Sequence, residues 1–282
     1  MTALTYMDTW LAEQSGEVTG SDTLFPFPGH PMGQLRSMTK RYMHDLDSSI
    51  SIQQRLLPEQ PHVMDGAEVA VHYLPIMGVS GDYYDFLPFR ENQTALAIGD
   101  VCGKGMRAAQ IMASICAALR AQVHSGTSAA DELLAYLNRS IYHCTSSSQF
   151  VTLLYGIWDS DVRTFTYSNA GHPPVLHYQA ATGAVNRLDV GSIVLGVCEE
   201  VEYPTESVSL DTGDALVLYT DGIIETSNAS DKIFGIQGLS NIVVEYGKEQ
   251  SNILAEEILR AASHFGHRGW EDDVTLMVIK SV

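Results

Sequence analysis

Carboxylates stand at the ends of strand-like apolar runs throughout this sequence, and that repetition constrains the fold more than any other feature. In G-D-A-L-V-L-Y-T-D-G-I-I-E-T (213–226), the apolar run 215–219 predicts a buried strand, and Asp221 and Gly222 follow it almost at once. If several such strands are neighbours in a sheet, their carboxylates converge at one edge. The acids in this context are Asp82, Asp85, Asp100, Asp221, Asp272 and Asp273.

The other acids repeat the arrangement. Asp100 directly follows the run T-A-L-A-I-G and precedes G-K-G and a predicted helix. Asp272 and Asp273 immediately precede the run V-T-L-M-V-I. Asp82 and Asp85 belong to G-V-S-G-D-Y-Y-D-F, which we interpret as the turn between two strands.

A cluster of this kind needs a counter-charge, because converging carboxylates raise one another's pKa unless cations neutralise them. Oxygen ligands suit the hard ions magnesium, manganese and calcium. Glycines beside the acids would let backbone carbonyls and waters approach closely. Each acid alone has a second interpretation, since Asp-Gly is a common turn and Asp100 could simply cap the next helix. The repetition, rather than any one residue, favours a metal site.

Composition excludes several partners. The formal net charge is -18, from 34 acidic and 16 basic residues, whereas nucleic acids and anionic membranes require basic patches. No apolar run approaches the ~20 residues of a membrane span, and the first residues lack the pattern of a signal peptide. The four cysteines show no C-x-x-C spacing, so we expect a cytoplasmic protein without a disulfide framework.

The chain divides into three parts. Residues 1–33 have the Gly, Pro and Ser content of an irregular segment. Residues 34–60 contain a predicted helix, 34–57, that Pro58 stops. This helix could form a homodimer contact or pack on its own domain. Residues 61–282 form the main domain.

Periodicity within the main domain predicts an α+β fold. The expected helices are 104–122, 129–144 and 251–265, and they occur in blocks rather than in strict alternation with strands. Adjacent strand-like runs predict antiparallel meanders. The expected strands are 68–74, 94–98, 152–158, 163–169, 175–178, 215–219 and 274–280.

Familiar catalytic motifs are not satisfied. G-D-V-C-G-K-G (99–105) lacks the Ser/Thr and the glycine spacing of a phosphate loop. G-V-S-G (78–81) lacks the spacing of a nucleophile elbow, and no H-E-x-x-H occurs.

Six segments, taken together and in order, resemble the bacterial sporulation-E and sigma-factor-regulator branch of the protein phosphatase 2C (PPM) superfamily. The resemblance spans about residue 52 to the C-terminus. Its departures are small, with Ser80 where glycine is frequent and Cys102 where serine is common. The segments are I-Q-Q-R-L-L-P (52–58), G-V-S-G-D-Y-Y-D-F (78–86), A-I-G-D-V-C-G-K-G-M-R-A-A (97–109), S-N-A-G-H-P-P (168–174), G-D-A-L-V-L-Y-T-D-G-I-I-E-T (213–226) and D-D-V-T-L-M-V-I (272–279).

The resemblance implies a four-layer α-β-β-α sandwich, with two central antiparallel sheets flanked by helices, and a two-metal centre holding Mn²⁺ or Mg²⁺. In that family pattern Asp100 bridges both ions, and the carbonyl of Val101 binds one of them. Asp221 and Asp272 hold the first ion, and Asp82 serves the second. Two further acids, Asp85 and Asp273, would reach the ions through water or orient other ligands.

The implied activity is hydrolysis of phosphoserine or phosphothreonine in a protein. Two ions about 3.5–4 Å apart lower the pKa of a bridging water and clamp the phosphoryl oxygens. His172 is a candidate proton donor to the leaving oxygen, although its place in N-A-G-H-P-P favours a structural role. Lys104 could attract the phosphate or simply be a solvated lysine at the helix start.

The family's usual substrate is a phosphorylated, STAS-type anti-sigma-factor antagonist. We hypothesise that regulation acts through dimerisation or an activator docking on residues 1–57. Two alternatives stay open. One is a catalytically silent module that recognises a phosphoprotein, and the other is a metal-dependent hydrolase of small phosphoesters or nucleotides.

Overall fold

The computed structural model describes residues 31–58, 64–126, 129–145, 149–267 and 269–282. It forms two compact units, Met1–Arg55 and Leu56–Val282. Most of the irregular segment predicted for residues 1–33 lies outside the described residues. Within the described ranges, no helix combines the length and apolar character that a membrane crossing requires.

The described part of the first unit is helix α1, Pro31–Gln54. It starts and ends three residues earlier than the sequence pattern predicts. The chain leaves it through a turn in which the Arg55 N–H donates to the Ile52 carbonyl. Met38, Tyr42 and Ile52 are exposed apolar side chains on this helix.

The second unit contains the remaining helices and all the described strands. In chain order these are β1 (Ala67–Leu74), β2 (Tyr83–Arg90), β3 (Gln93–Val101), α2 (Met106–His124), α3 (Ala130–Cys144), β4 (Val151–Asp159), β5 (Thr164–Ala170), β6 (Val175–Gln179), β7 (Ala184–Leu188), β8 (Thr205–Ser209), β9 (Ala215–Tyr219), α4 (Asp221–Ile224), α5 (Gly235–Tyr246), α6 (Ser251–Phe265) and β10 (Val274–Ser281).

The strands form two five-stranded sheets, and every pairing within them is antiparallel. The first sheet has the order β1-β10-β9-β6-β7, and the second has the order β2-β3-β4-β5-β8. One apolar core lies between the sheets and continues under α2 and α3. A second core lies between the first sheet and helices α5 and α6. The predicted α+β class and four-layer α-β-β-α order are confirmed.

The strands that the sequence pattern missed are β2, β7 and β8. Strands β7 and β8 lie at the edges of the sheets and consist of exposed and half-buried residues except for the buried Leu188, so no apolar run marks them in the sequence. Helices α4 and α5 were also not predicted. Asp85 lies inside strand β2, so its predicted place in a turn is wrong.

Antiparallel register explains how separate acidic segments meet. In the first sheet Tyr219 at the end of β9 lies near the start of β10, where its partner is Leu276. Asp221 therefore emerges beside the residues that precede β10. In the second sheet Tyr83 at the start of β2 pairs with Gly99 of β3, which places Asp82 near Asp100. Asp100 is the second-last residue of β3, rather than the first residue after it.

Asn138 of α3 anchors the loop that follows β7. Its side chain is buried, its Nδ2 donates to the carbonyls of Cys198 (2.9 Å) and Glu199 (3.1 Å), and its Oδ1 accepts from the Gly196 N–H at 2.9 Å. The residue also begins an N-x-S sequon, but its burial makes it a structural contact.

We expect Asn138→Ala to lower the free energy of unfolding by about 1–3 kcal/mol, because it leaves the buried Gly196 N–H and two part-buried carbonyls without this partner. Urea denaturation measures the change. The adjacent and exposed Arg139→Ala is the control and should stay within about 0.5 kcal/mol of wild type. Equal stability of the two variants would show that the loop finds other hydrogen-bond partners.

Candidate metal centre

Asp82 lies between the two sheets and is held by both. It immediately precedes β2 and is only 1% exposed. Its Oδ2 accepts hydrogen bonds from Thr220 Oγ1 at 2.8 Å and Thr275 Oγ1 at 2.6 Å, which stand at the end of β9 and the start of β10 in the first sheet. Burial, and then the neighbouring Asp100, raise the pKa of Asp82 well above its usual range, against the lowering effect of the two threonines.

Among the acids that are less deeply buried than Asp82, Asp100 has the most strongly raised pKa. Burial raises its pKa to about 7, and Asp221 and Asp272 add to the shift. A side chain at Gly81 would crowd this carboxylate, since a Cβ there would lie 3.2 Å from Asp100 Oδ1 and 2.9 Å from the Val101 carbonyl oxygen. Gly81 therefore leaves open the space in front of two of the predicted ligands.

Asp221 opens the short helix α4. Its pKa rises to about 6 through burial first, then through Glu225 and Asp272, while Lys104 opposes the shift. Gly222 explains the Asp-Gly sequence, because a Cβ at this position would lie 2.1 Å from the Asp273 carbonyl oxygen. The glycine lets α4 approach the start of β10 and so brings Asp221 beside Asp272.

Asp272 and Asp273 have different surroundings. Asp272 Oδ2 lies 2.8 Å from Lys104 Nζ, and its Oδ1 accepts from the Asp273 N–H at 2.8 Å. Asp273 is buried, and its carboxylate accepts from the N–H groups of Ile76 at 2.7 Å and Gly81 at 3.3 Å. Asp273 thus positions the loop that carries Asp82, which agrees with an orienting role.

Asp85 is directed elsewhere. Its Oδ2 accepts from Arg120 Nε at 2.6 Å and from the Tyr83 hydroxyl at 2.7 Å. The same guanidinium donates to the Leu56 carbonyl at 2.7 Å. The structure therefore brings Asp82, Asp100, Asp221, Asp272 and Asp273 together, but it places Asp85 in an ion pair with α2.

His172 connects the ends of strands near these acids. It is buried, and its Nδ1 lies 3.0 Å from Thr152 Oγ1, which in turn donates to the Asp100 carbonyl at 3.4 Å. Asn169 fixes the loop by accepting from the His172 N–H at 2.7 Å and donating to its carbonyl at 2.9 Å. Burial lowers the pKa of His172 to about 3, opposed only by the carbonyl of Tyr219. A neutral, enclosed imidazole supports the structural interpretation.

The carboxylate oxygens are the type of ligand that a divalent cation binds, but they do not form a complete coordination sphere. Among the described residues, no three His, Cys, Asp or Glu side chains converge closely enough to hold an ion as they stand. The neighbouring carboxylates nevertheless raise one another's pKa, which is the repulsion that a hard cation relieves. The individual ligand assignments, including the Val101 carbonyl, stay predictions.

The two threonines that hold Asp82 were not predicted from the sequence. Thr220 directly precedes Asp221, and Thr275 lies two residues after Asp273. Their positions beside the acids were visible in the sequence, but their direction toward a third acid depends on sheet register.

Gly222→Ala should lower the free energy of unfolding by about 2–3 kcal/mol, because overpacking against the Asp273 backbone forces α4 outward. It should also weaken Mn²⁺ binding, since Asp221 moves from Asp272. Thermal and urea unfolding measure the first effect, and calorimetry measures the second. Gly183→Asn is the control, because Gly183 has φ +70° with nothing within 4 Å of a Cβ and asparagine tolerates that conformation. Wild-type behaviour of Gly222→Ala would contradict this explanation of the Asp-Gly pair.

The metal-free protein should lose stability as pH rises. Asp100 and Asp221 have folded-state pKa values of about 7 and 6, above the ordinary value of about 3.9 in an unfolded chain. Folding therefore favours their protonated forms, and their contribution is complete below about pH 4 and lost by about pH 7.

Urea denaturation in EDTA at pH 5 and pH 8 tests this expectation. From pH 5 to pH 8, the free energy of unfolding of the wild type should fall by roughly 2–4 kcal/mol more than that of Asp100→Asn, which has no carboxyl to ionise at position 100. Saturating Mn²⁺ should reduce the wild-type loss, because the ion stabilises the ionised carboxylates. Identical pH dependence of wild type and Asp100→Asn in EDTA would contradict the shift.

Comparison with known proteins finds relatives that match most of this chain. The chain is 26% identical over 246 residues to phosphoserine phosphatase RsbU of Bacillus subtilis, covering 87% of this chain and 72% of that protein. A crystal structure of the RsbU and RsbW domains of a Mycobacterium tuberculosis protein matches with a TM-score of 0.69 and 28% identity, covering 80% of this chain and 61% of that chain.

A third comparison supports the fold alone. The SiaA-PP2C domain of Pseudomonas aeruginosa superposes with a TM-score of 0.75 at 17% identity, covering 87% of this chain and 99% of that domain. The family described as stage II sporulation protein E (SpoIIE) matches residues 90–282, well over half of the sequence. The predicted resemblance and the protein phosphatase class are therefore confirmed: this chain belongs to the SpoIIE family and has the fold of PP2C phosphatase domains.

Proposed function

We propose that this protein is a metal-dependent protein serine/threonine phosphatase of a cytoplasmic regulatory pathway. The observation that carries the proposal is the meeting of Asp82 and Asp100 from one sheet with Asp221 and Asp272 from the other, at one edge of a PP2C-type sandwich. A phosphoryl group in transfer carries charge on its oxygens, so a site of carboxylates alone would repel it. Cations between the acids and the phosphoryl group reverse that repulsion.

The proposed centre takes two Mn²⁺ or Mg²⁺ ions, with Asp100, Asp221, Asp272, Asp82 and the Val101 carbonyl as ligands. When bound, such ions activate water and offset the charge of the phosphoryl oxygens. The chain itself pre-positions the donors. Two threonine hydroxyls fix the Asp82 carboxylate, and the backbone register of β9 and β10 fixes Asp221 relative to Asp272.

His172 is proposed to position β3 rather than to donate a proton. Its pKa of about 3 leaves the ring neutral near pH 7. Through Thr152 it supports the carbonyl of Asp100. Asp273 has a comparable role, because its carboxylate binds backbone N–H groups on either side of the loop before Asp82.

A phosphoprotein is the proposed substrate. RsbU, the Bacillus subtilis relative, is named a phosphoserine phosphatase, and the Mycobacterium tuberculosis structure contains RsbU and RsbW domains in one chain. The names support a phosphoserine-containing protein as substrate, and the family resemblance of the sequence adds the proposal that it is a STAS-type anti-sigma-factor antagonist. Activator docking on residues 1–57 and homodimerisation through that segment stay predictions.

Hydrolysis of a phosphoserine peptide tests the proposed function. Wild type should release phosphate with Mn²⁺ but not with EDTA. Asp221→Asn should lose about 10²–10³-fold in kcat, because one contributor to the charge-stabilising centre is removed. The matched control is Asp231→Asn, which changes an exposed acid in a turn and should retain wild-type activity.

Parallel assays separate the alternatives. Faster turnover of free nucleotides or small phosphoesters than of the peptide would favour a small-molecule hydrolase. Mn²⁺ binding without hydrolysis of any of these substrates would favour a silent phosphoprotein-binding module, or an enzyme that requires an activator.

A further inference from the structure

Lys104 makes direct contact with the carboxylate cluster. Its Nζ lies 2.8 Å from Asp272 Oδ2 and donates to the Glu271 carbonyl at 2.6 Å. The residue stands in the turn between β3 and α2, flanked by Gly103 (φ +99°) and Gly105 (φ +71°). These left-handed glycines let the turn reverse tightly after Asp100, and the lysine crosses from it to the segment that precedes β10.

The same ammonium acts on more than one acid. Asp273 and Asp221 lie within its electrostatic reach as well as Asp272, and Lys104 partly offsets the repulsion felt by Asp221. Lys104 therefore supplies some of the positive charge that this cluster lacks. The contact differs from a solvated lysine at a helix start, which was the simpler sequence interpretation.

We propose that Lys104 is a tethered counter-cation that occupies Asp272 until a divalent ion displaces it, so that this residue sets the metal concentration at which the centre fills. The inference rests on the proposed function in taking Asp272 as a metal ligand. The oxygen Asp272 Oδ2 cannot face the ammonium at 2.8 Å and a metal ion in the same position. An ion that takes the position of the ammonium displaces the lysine from Asp272 Oδ2.

Withdrawal is easy for this side chain. The Lys104 side chain is 47% exposed and that of Asp272 is 36% exposed, and ion pairs of this kind are weak. The flexible stem of lysine lets the ammonium swing into solvent. Lys104 should therefore tune the metal affinity over a modest range rather than block the site.

Isothermal titration with MnCl₂ tests the proposal without any assay of catalysis. The variants are Lys104→Gln, which removes the charge, and Lys104→Arg, which keeps it. Lys248→Gln is the matched control, because Lys248 is exposed after α5. We expect Lys104→Gln to bind Mn²⁺ about three- to tenfold more tightly than wild type, since both the ion pair and the charge repulsion are lost. Lys104→Arg and Lys248→Gln should remain within about twofold of wild type.

A double-mutant cycle assigns the effect to Asp272. In an Asp272→Asn background, Lys104→Gln should gain much less affinity, because the contested carboxylate is gone. Thermal unfolding of each variant checks that the fold is retained. Unchanged or weaker Mn²⁺ binding by Lys104→Gln would overturn the proposal, as would the absence of Mn²⁺ binding in both wild type and Lys104→Gln, or an equal gain in the Asp272→Asn background.

These results are separable from the proposed function. Tighter Mn²⁺ binding by Lys104→Gln in a protein that hydrolyses no phosphopeptide would support the counter-cation and count against the phosphatase. Mn²⁺-dependent hydrolysis with unchanged metal binding by Lys104→Gln would do the reverse.

Discussion

The hydrogen bonds that Thr220 and Thr275 donate to Asp82 are the contacts on which the rest of this site depends. They fasten the segment before β2 of one sheet to the ends of β9 and β10 of the other. Thr220 Oγ1 also accepts from the Thr275 N–H at 2.9 Å, so the three residues form a closed network in a buried setting. Without it, the sheets would share an apolar core but would not bring their acidic edges into register.

The carboxylates at these strand ends repel one another. The repulsion is tolerated because apolar packing stabilises the strands that carry them. Every residue of β9 and β10 is buried, so the strands that present Asp221 and Asp272 are fixed by core packing rather than by the acids themselves. Burial first, and the neighbouring carboxylates second, raise the pKa values of Asp82, Asp100 and Asp221, and the rigid frame keeps these carboxylates near one another. A frame that could relax would let the carboxylates move apart and so lower their affinity for a cation.

Much of this arrangement was predictable from the sequence because the strands that carry it are strongly apolar. The run 215–219 and the helix 251–265 have the bounds that the structure shows. Strands β7 and β8 were not predicted because most of their residues are exposed or half-buried and form no continuous apolar pattern. Asp85 was grouped with the other acids because sequence position cannot show that its strand turns this side chain toward Arg120. The threonines beside Asp221 and Asp273 were visible, but their common target was not, since it depends on contact between two sheets.

The Asp-Gly pair at the end of β9 shows why residue type and fold cannot be separated here. Asp221 would be a turn residue in most settings. It belongs to the acidic edge because Gly222 has no side chain to keep α4 from the Asp273 carbonyl. A larger residue would preserve the carboxylate and its charge while moving it from its neighbours. The chemistry of the site therefore depends on the missing Cβ of Gly222 as much as on the acids. Without such a glycine, the carboxylate would belong to a solvated turn residue.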